Sequence, residues 1–274
     1  MTDQREAVAG VFDRASETYD QLGVEFFGPV GRALVELTGV QPGDDVLDVG
    51  CGRGAVLFPA AEAAGPTGSV LGIDLATGMV ERTRAVVEAR GLSTVRVEQR
   101  DAQDPGLPAA AYDVVLSSLV VFFLPDPLAG ATAWRRAARD GGRLGITTFA
   151  TRDDPRWAWL EELFPDRDPK ATRFGGDQGA SPFSTDDRLH ELLAAAGWTG
   201  ARSETREQVT TFARPEDWLP FSWSVGTRTY WERTPEEQRP ELERTALEHL
   251  TRMAAEPEGL AQRNQVRYTT AIAS

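Results

Sequence analysis

Val46-Leu47-Asp48-Val49-Gly50-Cys51-Gly52-Arg53-Gly54 is the stretch on which the reading of this chain turns. Val46 to Val49 is a short apolar run bounded by Gly43 and Gly50, the pattern of a buried strand. Gly54 to Ala64 is rich in alanine and reads as a helix. A glycine-rich turn between a strand and a helix lets a ligand approach the backbone closely. Gly50, Gly52 and Ala55 satisfy the loose dinucleotide fingerprint G-x-G-x-x-A, a weak match taken alone. Asp48 argues against a dinucleotide, because a carboxylate just before the first glycine would repel a pyrophosphate. The same carboxylate welcomes a cation.

Outward from this turn, strand and helix signals alternate as far as Phe149. Ser69 to Asp74 is a second strand. Thr77 to Arg90 carries helical spacing, with Gly91 at the stop. Thr94 to Gln99 is β-branched and alternating, and Tyr112 to Ser117 is a fourth strand. Leu128 to Arg139 is a helix closed by the turn Asp140-Gly141-Gly142, and Arg143 to Phe149 is a fifth strand. Alternation at this spacing implies a parallel sheet with helices on both faces. Beyond it, Thr185 to Ala196 is a helix stopped by Gly197. Strands are expected from Thr199 to Phe212 and from Gln265 to Ala273. If these last two pair, the result is a seven-stranded, mostly parallel α/β sheet.

Residues 43–149 form the expected ligand-binding core, and 184–213 with 263–274 complete its sheet. Three segments fall outside. Residues 1–42 are mainly helical and read as an N-terminal cap. Residues 150–183, rich in Pro, Gly, Asp and aromatics, form a first insert. Residues 214–262 form a helical second insert punctuated by Pro215, Pro235, Pro240 and Pro257. Ligands of open α/β sheets bind outside the carboxyl ends of the strands. Inserts after strands five and six leave from that edge, so they are placed to act as a lid. Gly175, Gly176 and Gly179 are candidate hinges of the first insert. Trp157, Trp159, Trp198, Trp218, Trp223 and Trp231 all lie in or beyond it. Individually such residues pack an insert on a core; as a group they suggest an aromatic-lined apolar pocket.

A length of 274 residues suits one large α/β domain with insertions. With 29 basic and 42 acidic residues the formal net charge is −13. Nucleic-acid backbones need Lys and Arg to neutralise phosphates, so a nucleic-acid partner is not expected. No apolar run reaches the roughly 18 residues of a membrane span. Met1 to Glu6 carries no basic region followed by an apolar stretch, so neither a membrane partner nor a secretory signal is expected. The single cysteine, Cys51, excludes an internal disulfide framework and a cysteine-rich zinc site. No metal is expected, and the default location is the cytoplasm. The oligomeric state stays open.

Acids recur at the later strand tips. Asp74 ends the second strand, where a carboxylate can accept both hydroxyls of a ribose. Asp101 follows the third strand and can accept from an adenine amino group. Met79 is placed to pack on the adenine face, and Ser117 and Ser118 close the fourth strand. With the glycine turn, in this order and spacing, the chain resembles the class I S-adenosylmethionine (SAM)-dependent methyltransferases. Within them it looks like the small-molecule branch of ubiquinone/menaquinone-type and bacterial natural-product enzymes. The resemblance covers residues 10–150 most fully; it is weaker at Ala194-Ala195-Ala196-Gly197-Trp198 and in the final strand. It implies a Rossmann-like fold with SAM as cofactor and S-adenosylhomocysteine as product. It also implies a cofactor site made by Tyr19, Asp48, Gly50, Cys51, Gly52, Asp74, Leu75, Met79, Asp101, Ala102, Ser117 and Ser118. Phe12-Asp13-Arg14-Ala15-Ser16-Glu17-Thr18-Tyr19-Asp20 is similar to the N-terminal helix of this branch. There, a tyrosine in the position of Tyr19 reaches the methionine end of SAM and covers the site.

Methyl transfer from a sulfonium is an in-line displacement, so the enzyme aligns the acceptor and excludes water. A general base helps only where the acceptor must lose a proton. No histidine follows the fourth strand, where some relatives place one; Leu119-Val120-Val121-Phe122-Phe123 stands there. His190 and His249 lie in helices and read as packed or solvated. No catalytic residue is therefore assigned. Transfer is expected by proximity alone, or with a carboxylate or tyrosine as base. The lack of Asp-Pro-Pro-Tyr or Asn-Pro-Pro-Tyr after strand four also sets amino-methylation of nucleic acids aside. Cys51 reads as a small packing residue. A small, largely apolar metabolite is expected among Phe26, Phe27, Phe122, Trp157, Phe174, Trp218, Phe221, Trp223 and Trp231. The second reading is an enzyme of this fold that retains the cofactor and catalyses a cyclisation, which fold and pocket do not separate.

Overall fold

The structure, a computed structural model, describes residues 4–151, 154–164 and 181–274. The strands are β1 Asp45–Val49, β2 Ser69–Asp74, β3 Val95–Gln99, β4 Tyr112–Ser118, β5 Ala138–Thr151, β6 Trp198–Thr211 and β7 Ala261–Ala273. The helices are α1 Gln4–Ala15, α2 Phe27–Thr38, α3 Leu57–Ala64, α4 Thr77–Ala89, α5 Pro127–Ala137, α6 Trp159–Leu163, α7 Asp186–Ala195, α8 Pro215–Ser224, α9 Arg228–Arg233 and α10 Arg239–Ala254. All strands join one sheet of order β3-β2-β1-β4-β5-β7-β6. Pairing is parallel from β3 through β5, and β7 is antiparallel to both β5 and β6. Every strand but β7 therefore ends at the same edge. The order reverses between β1 and β4, and such a switch point opens a crevice there.

Alternation along the strands builds two layers of core. Val46, Val70, Val114 and Leu116 pack with Val30 and Leu34 of α2, Leu57 and Ala60 of α3, and Val80 of α4. Leu47, Val49, Leu71, Ile73, Val115 and Ile146 face the other way, against Trp134 of α5 and Leu189 and Leu193 of α7. Each fully buried Val, Leu or Ile contributes about 1.5–3 kcal/mol. A slip of one residue would turn either set to the wrong face, so this core fixes the register and hence the strand tips. A third cluster, around Trp157, Trp218, Trp231 and Leu250, joins the segment after β5 to α8, α9 and α10. Among the described residues no helix is long and apolar enough to cross a membrane.

Several boundaries differ from the sequence expectation for local reasons. α3 starts at Leu57 because Gly54 has φ 91°, a left-handed conformation that cannot open a right-handed helix. α5 ends at Ala137, since Ala138 turns extended and pairs with Tyr112. β5 thus begins before the Gly141-Gly142 turn, and a register shift beside Tyr112 absorbs it. β6 starts at Trp198 and ends at Thr211, where Ala261 pairs with it. β7 therefore starts at Ala261 instead of Gln265.

Candidate active site

The turn after β1 folds back over the tip of β2. The Gly50 and Cys51 N–H groups donate to the Ile73 carbonyl at 2.8 and 2.9 Å. Gly50 has φ 71°, and a Cβ there would collide with the Val120 side chain. Asp74 clamps the turn. Its Oδ2 accepts from the Gly52 N–H at 2.8 Å and its Oδ1 from the Ala76 N–H at 2.9 Å. Each carboxylate oxygen has a further lone pair, so both remain able to accept from a diol. Burial raises the Asp74 carboxyl above its ordinary range, and the backbone N–H groups oppose that rise.

A single cavity of about 630 Å³ runs from this turn to the aromatic cluster beyond β5. Its volume lies in the range of small-molecule sites. Gly50, Gly52, Asp74, Leu75, Met79, Asp101, Ala102 and Ser118 line one end, with Phe12 and Tyr19 beside them. Tyr19 stacks on Phe27 at 4.7 Å between ring centroids. Phe26, Phe27, Phe122, Trp157, Trp218 and Phe221 line the other end. Most of the expected cofactor and substrate residues are thus brought to one space.

Others lie behind its wall. Asp48 follows Val46 on the α2–α3 face of β1 and is 1% exposed. It accepts from the Leu57 N–H at the start of α3, and its Oδ2 has no partner among the described residues. Burial pushes its carboxyl up to about 8, and the charge of Asp74 adds to the rise. Asp48 therefore does not border the cavity as a direct contact. Cys51 is buried, which pushes its thiol well up, and it serves as packing. Ser117 is wholly buried and donates to the Val49 carbonyl at 3.1 Å. Trp223 and Trp231 stack on each other at 5.6 Å behind the wall. Trp231 spends its N–H on Ser222 Oγ at 2.9 Å. His190 meets Ser203 Oγ at 2.8 Å and His249 stacks on Trp159, so neither borders the cavity. Phe174, Gly175, Gly176 and Gly179 lie outside the described residues. Among the described residues no cluster of metal-ligating groups occurs.

The structure adds residues that the sequence did not reveal. Arg5 Nη1 lies 2.9 Å from Asp101 Oδ2, while Asp101 Oδ1 accepts from the Gln103 N–H at 2.8 Å. Asp13 Oδ1 accepts from the Gly78 N–H at 2.7 Å, at the start of α4. Arg14 pairs through two nitrogens with Glu232 of α9, at 2.7 and 2.5 Å. α1 is thereby tied to Asp101, to the start of α4 and to α9. Leu119 borders the cavity with φ 58°, a strained conformation of the kind that clusters at functional sites. Its N–H is held by the carbonyl and the hydroxyl of Thr147 at 3.1 and 3.0 Å. Phe149, Thr210, Gln262 and Asn264 also line the cavity. Phe149 was findable as an aromatic near the carboxyl end of a strand. Gln262 and Asn264 were not, because they precede the expected start of β7.

Residues 46–142 match the family described as a methyltransferase domain. The chain is 40% identical over 256 residues to nocamycin O-methyltransferase of Saccharothrix syringae, spanning 89% of this chain and 91% of that one. It is 46% identical over 144 residues to aklanonic acid methyltransferase DauC of Streptomyces sp., spanning 53% of this chain and 66% of that one. The crystal structure of the YcgJ protein from Bacillus subtilis shares its fold, with a TM-score of 0.59 at 17% identity over 89% of this chain and 98% of the other. With the sheet order, the glycine turn and the crevice in place, the chain belongs to the class I S-adenosylmethionine-dependent methyltransferases. SAM is its cofactor, and the residues present suit it. Asp74 keeps acceptors for a ribose diol, and a Cβ on Gly52 would reach toward the Tyr19 ring at 4.0 Å. Burial raises both carboxyls beside the turn, and a cationic ligand placed there would favour their ionised forms.

Proposed function

We propose that this enzyme methylates a small, largely apolar natural product held in the aromatic end of the cavity. The observation that carries this reading is the continuity of one cavity from Asp74 to Trp157 and Trp218. The names of two relatives, a nocamycin and an aklanonic acid methyltransferase, support the natural-product part. Bound SAM supplies a methyl group activated on a sulfonium. The chain's own residues do the positioning. Asp74 accepts from the ribose hydroxyls, Asp101 and Ala102 border the adenine edge, and Met79 packs on the purine face. Leu75 and Gly50 complete that wall. Tyr19, braced on Phe27, covers the methionine end and excludes water. Ser118 and Leu119 border the transfer point, and the aromatic side chains align the acceptor by stacking. Alignment of this kind can supply a large part of the barrier reduction. Where the acceptor carries a proton, Glu161 and Tyr230, which line the cavity, are the candidate groups to take it.

In this reading residues 1–42 act as a cap, and 150–183 with 214–262 as a lid. The partner is a small molecule and not a nucleic acid, given the net charge of −13. A cytoplasmic location goes with it. The test is a turnover assay with SAM and candidate acceptors. One S-adenosylhomocysteine should form for each methylated product. Conversion of an acceptor without any S-adenosylhomocysteine would refute methyl transfer and assign the enzyme to the cofactor-retaining class.

A further inference from the structure

The far end of the cavity carries a hydrogen-bonding group that the protein itself does not use. Thr210, near the end of β6, is 1% exposed and lines the cavity. Its Oγ1 has no hydrogen-bond partner among the described residues. A buried hydroxyl without a partner weakens the fold that keeps it. Its position on a cavity wall points to a ligand atom as the missing partner.

The β6–β7 pairing shows what stands beside it. Thr210 pairs with Gln262 and Gln208 with Asn264. With a side-chain period of two, all four share one face of the sheet. Gln262 and Asn264 are half-buried and border the same cavity as Thr210. A carboxamide both donates and accepts, and a hydroxyl does the same. The group is therefore neutral and can serve either a carbonyl or a hydroxyl.

The neighbouring charges are already engaged. Arg263 borders the cavity, but its guanidinium pairs with Glu207 at 2.5 Å. The Asp154 carboxylate accepts from the backbone N–H groups of Arg156 and Arg263 at 3.1 and 3.3 Å. Trp157, Trp218 and Phe221 supply the apolar walls around the polar group. β6 lies four strands from β1 in the sheet order, which at about 4.8 Å per strand is roughly 19 Å from the glycine turn.

We propose that Thr210, Gln262 and Asn264 form a polar subsite for an uncharged carbonyl or hydroxyl oxygen on the substrate, at the end remote from the methylated atom. The substrate class is then an aromatic or polycyclic molecule with a neutral oxygen substituent on its distal ring. This inference rests on the reading of the cavity as a joint SAM and acceptor site.

The test uses the full chain saturated with S-adenosylhomocysteine and two probes of similar shape, acetylnaphthalene and the hydrocarbon isopropylnaphthalene. Binding is followed by NMR titration. The wild-type protein should bind the ketone about tenfold more tightly, the scale of one buried hydrogen bond. Thr210→Val should bring that ratio close to one, with unchanged affinity for S-adenosylhomocysteine and a melting temperature equal to or above the parent's. Gln262→Leu, at a half-buried position, should lower the ratio in the same direction and serves if the first variant folds poorly. A wild-type ratio near one, an unaltered ratio in both variants, or no binding of either probe to the S-adenosylhomocysteine complex would overturn the subsite. Failure of S-adenosylhomocysteine itself to bind would instead overturn the cofactor reading beneath it.

Discussion

Asp74 and Asp48 stand on adjacent strands and serve different ends because their side chains point differently. Asp74 ends β2, faces the crevice and holds two backbone N–H groups of the turns around it. Asp48 points under the start of α3 and is left with one unpartnered oxygen. Its carboxyl titrates at about 8 in the folded protein, against about 3.9 in an unfolded chain. The folded state therefore holds the proton more tightly. This stabilises the ligand-free protein at low pH, and the gain is lost as pH rises from about 4 toward about 8, by at most about 1.4 kcal/mol per unit. Asp48→Asn keeps an acceptor for the Leu57 N–H and removes the titration. Relative to wild type, the variant's melting temperature should rise between about pH 5 and about pH 8. A difference between the two proteins that stays flat over that interval would show that Asp48 is not a buried acid. Asp74 was legible in the sequence because it closes β2, and Asp101 because it follows the end of β3. Asp48 sits inside β1, and the alternation that sends Val46 to the α2–α3 face sends Asp48 with it.

At the scale of elements, the cap proposed above rests on how the N-terminal helix is held. Polar ties of α1 among the described residues include Arg5 to Asp101, Asp13 to the Gly78 N–H, and Arg14 to Glu232. The last joins α1 to α9. The Arg14 hydrogen bond holds the Glu232 carboxyl below its ordinary range, and burial opposes it. A depressed carboxyl contributes above its unfolded value, about 4.3, and the tie is lost as pH falls through the lower folded value. Arg14 is half exposed, so the pair contributes at most about 1 kcal/mol to global stability. Arg14→Ala should therefore leave the melting temperature nearly unchanged. Hydrogen–deuterium exchange across residues 4–15 should accelerate several-fold and affinity for SAM should fall. Equal exchange in both proteins would remove the latch from this picture. The similarity of residues 12–20 to a family helix led to the expectation of an N-terminal helix, which the structure places at Gln4–Ala15. The ties of α1 to α9 were not legible, because they join residues more than two hundred positions apart. Helix starts suffered from a different ambiguity: the alanines after Gly54 suit a helix, but the glycine's left-handed backbone delays it to Leu57.

For the whole molecule, topology decides where chemistry is possible. Parallel strands share an edge, the order reverses between β1 and β4, and both inserts leave from that edge. The alternating strand and helix signals from Asp45 to Phe149 made this much readable. The polar far end of the cavity stayed hidden because it depends on β7 reaching back to Ala261, a pairing set by β6 and by no local signal. The aromatic residues divided in the same way. Trp157 and Trp218 reach the cavity, whereas Trp223 and Trp231 satisfy each other behind it. The most direct test returns to the acid at the tip of β2. Calorimetric titration of SAM into wild type and Asp74→Ala should show one site per chain in the first and a loss of about a hundredfold or more in the second, because two charge-assisted bonds and the clamp on the turn go together. Equal affinity in the two proteins would contradict the placement of the cofactor at this crevice.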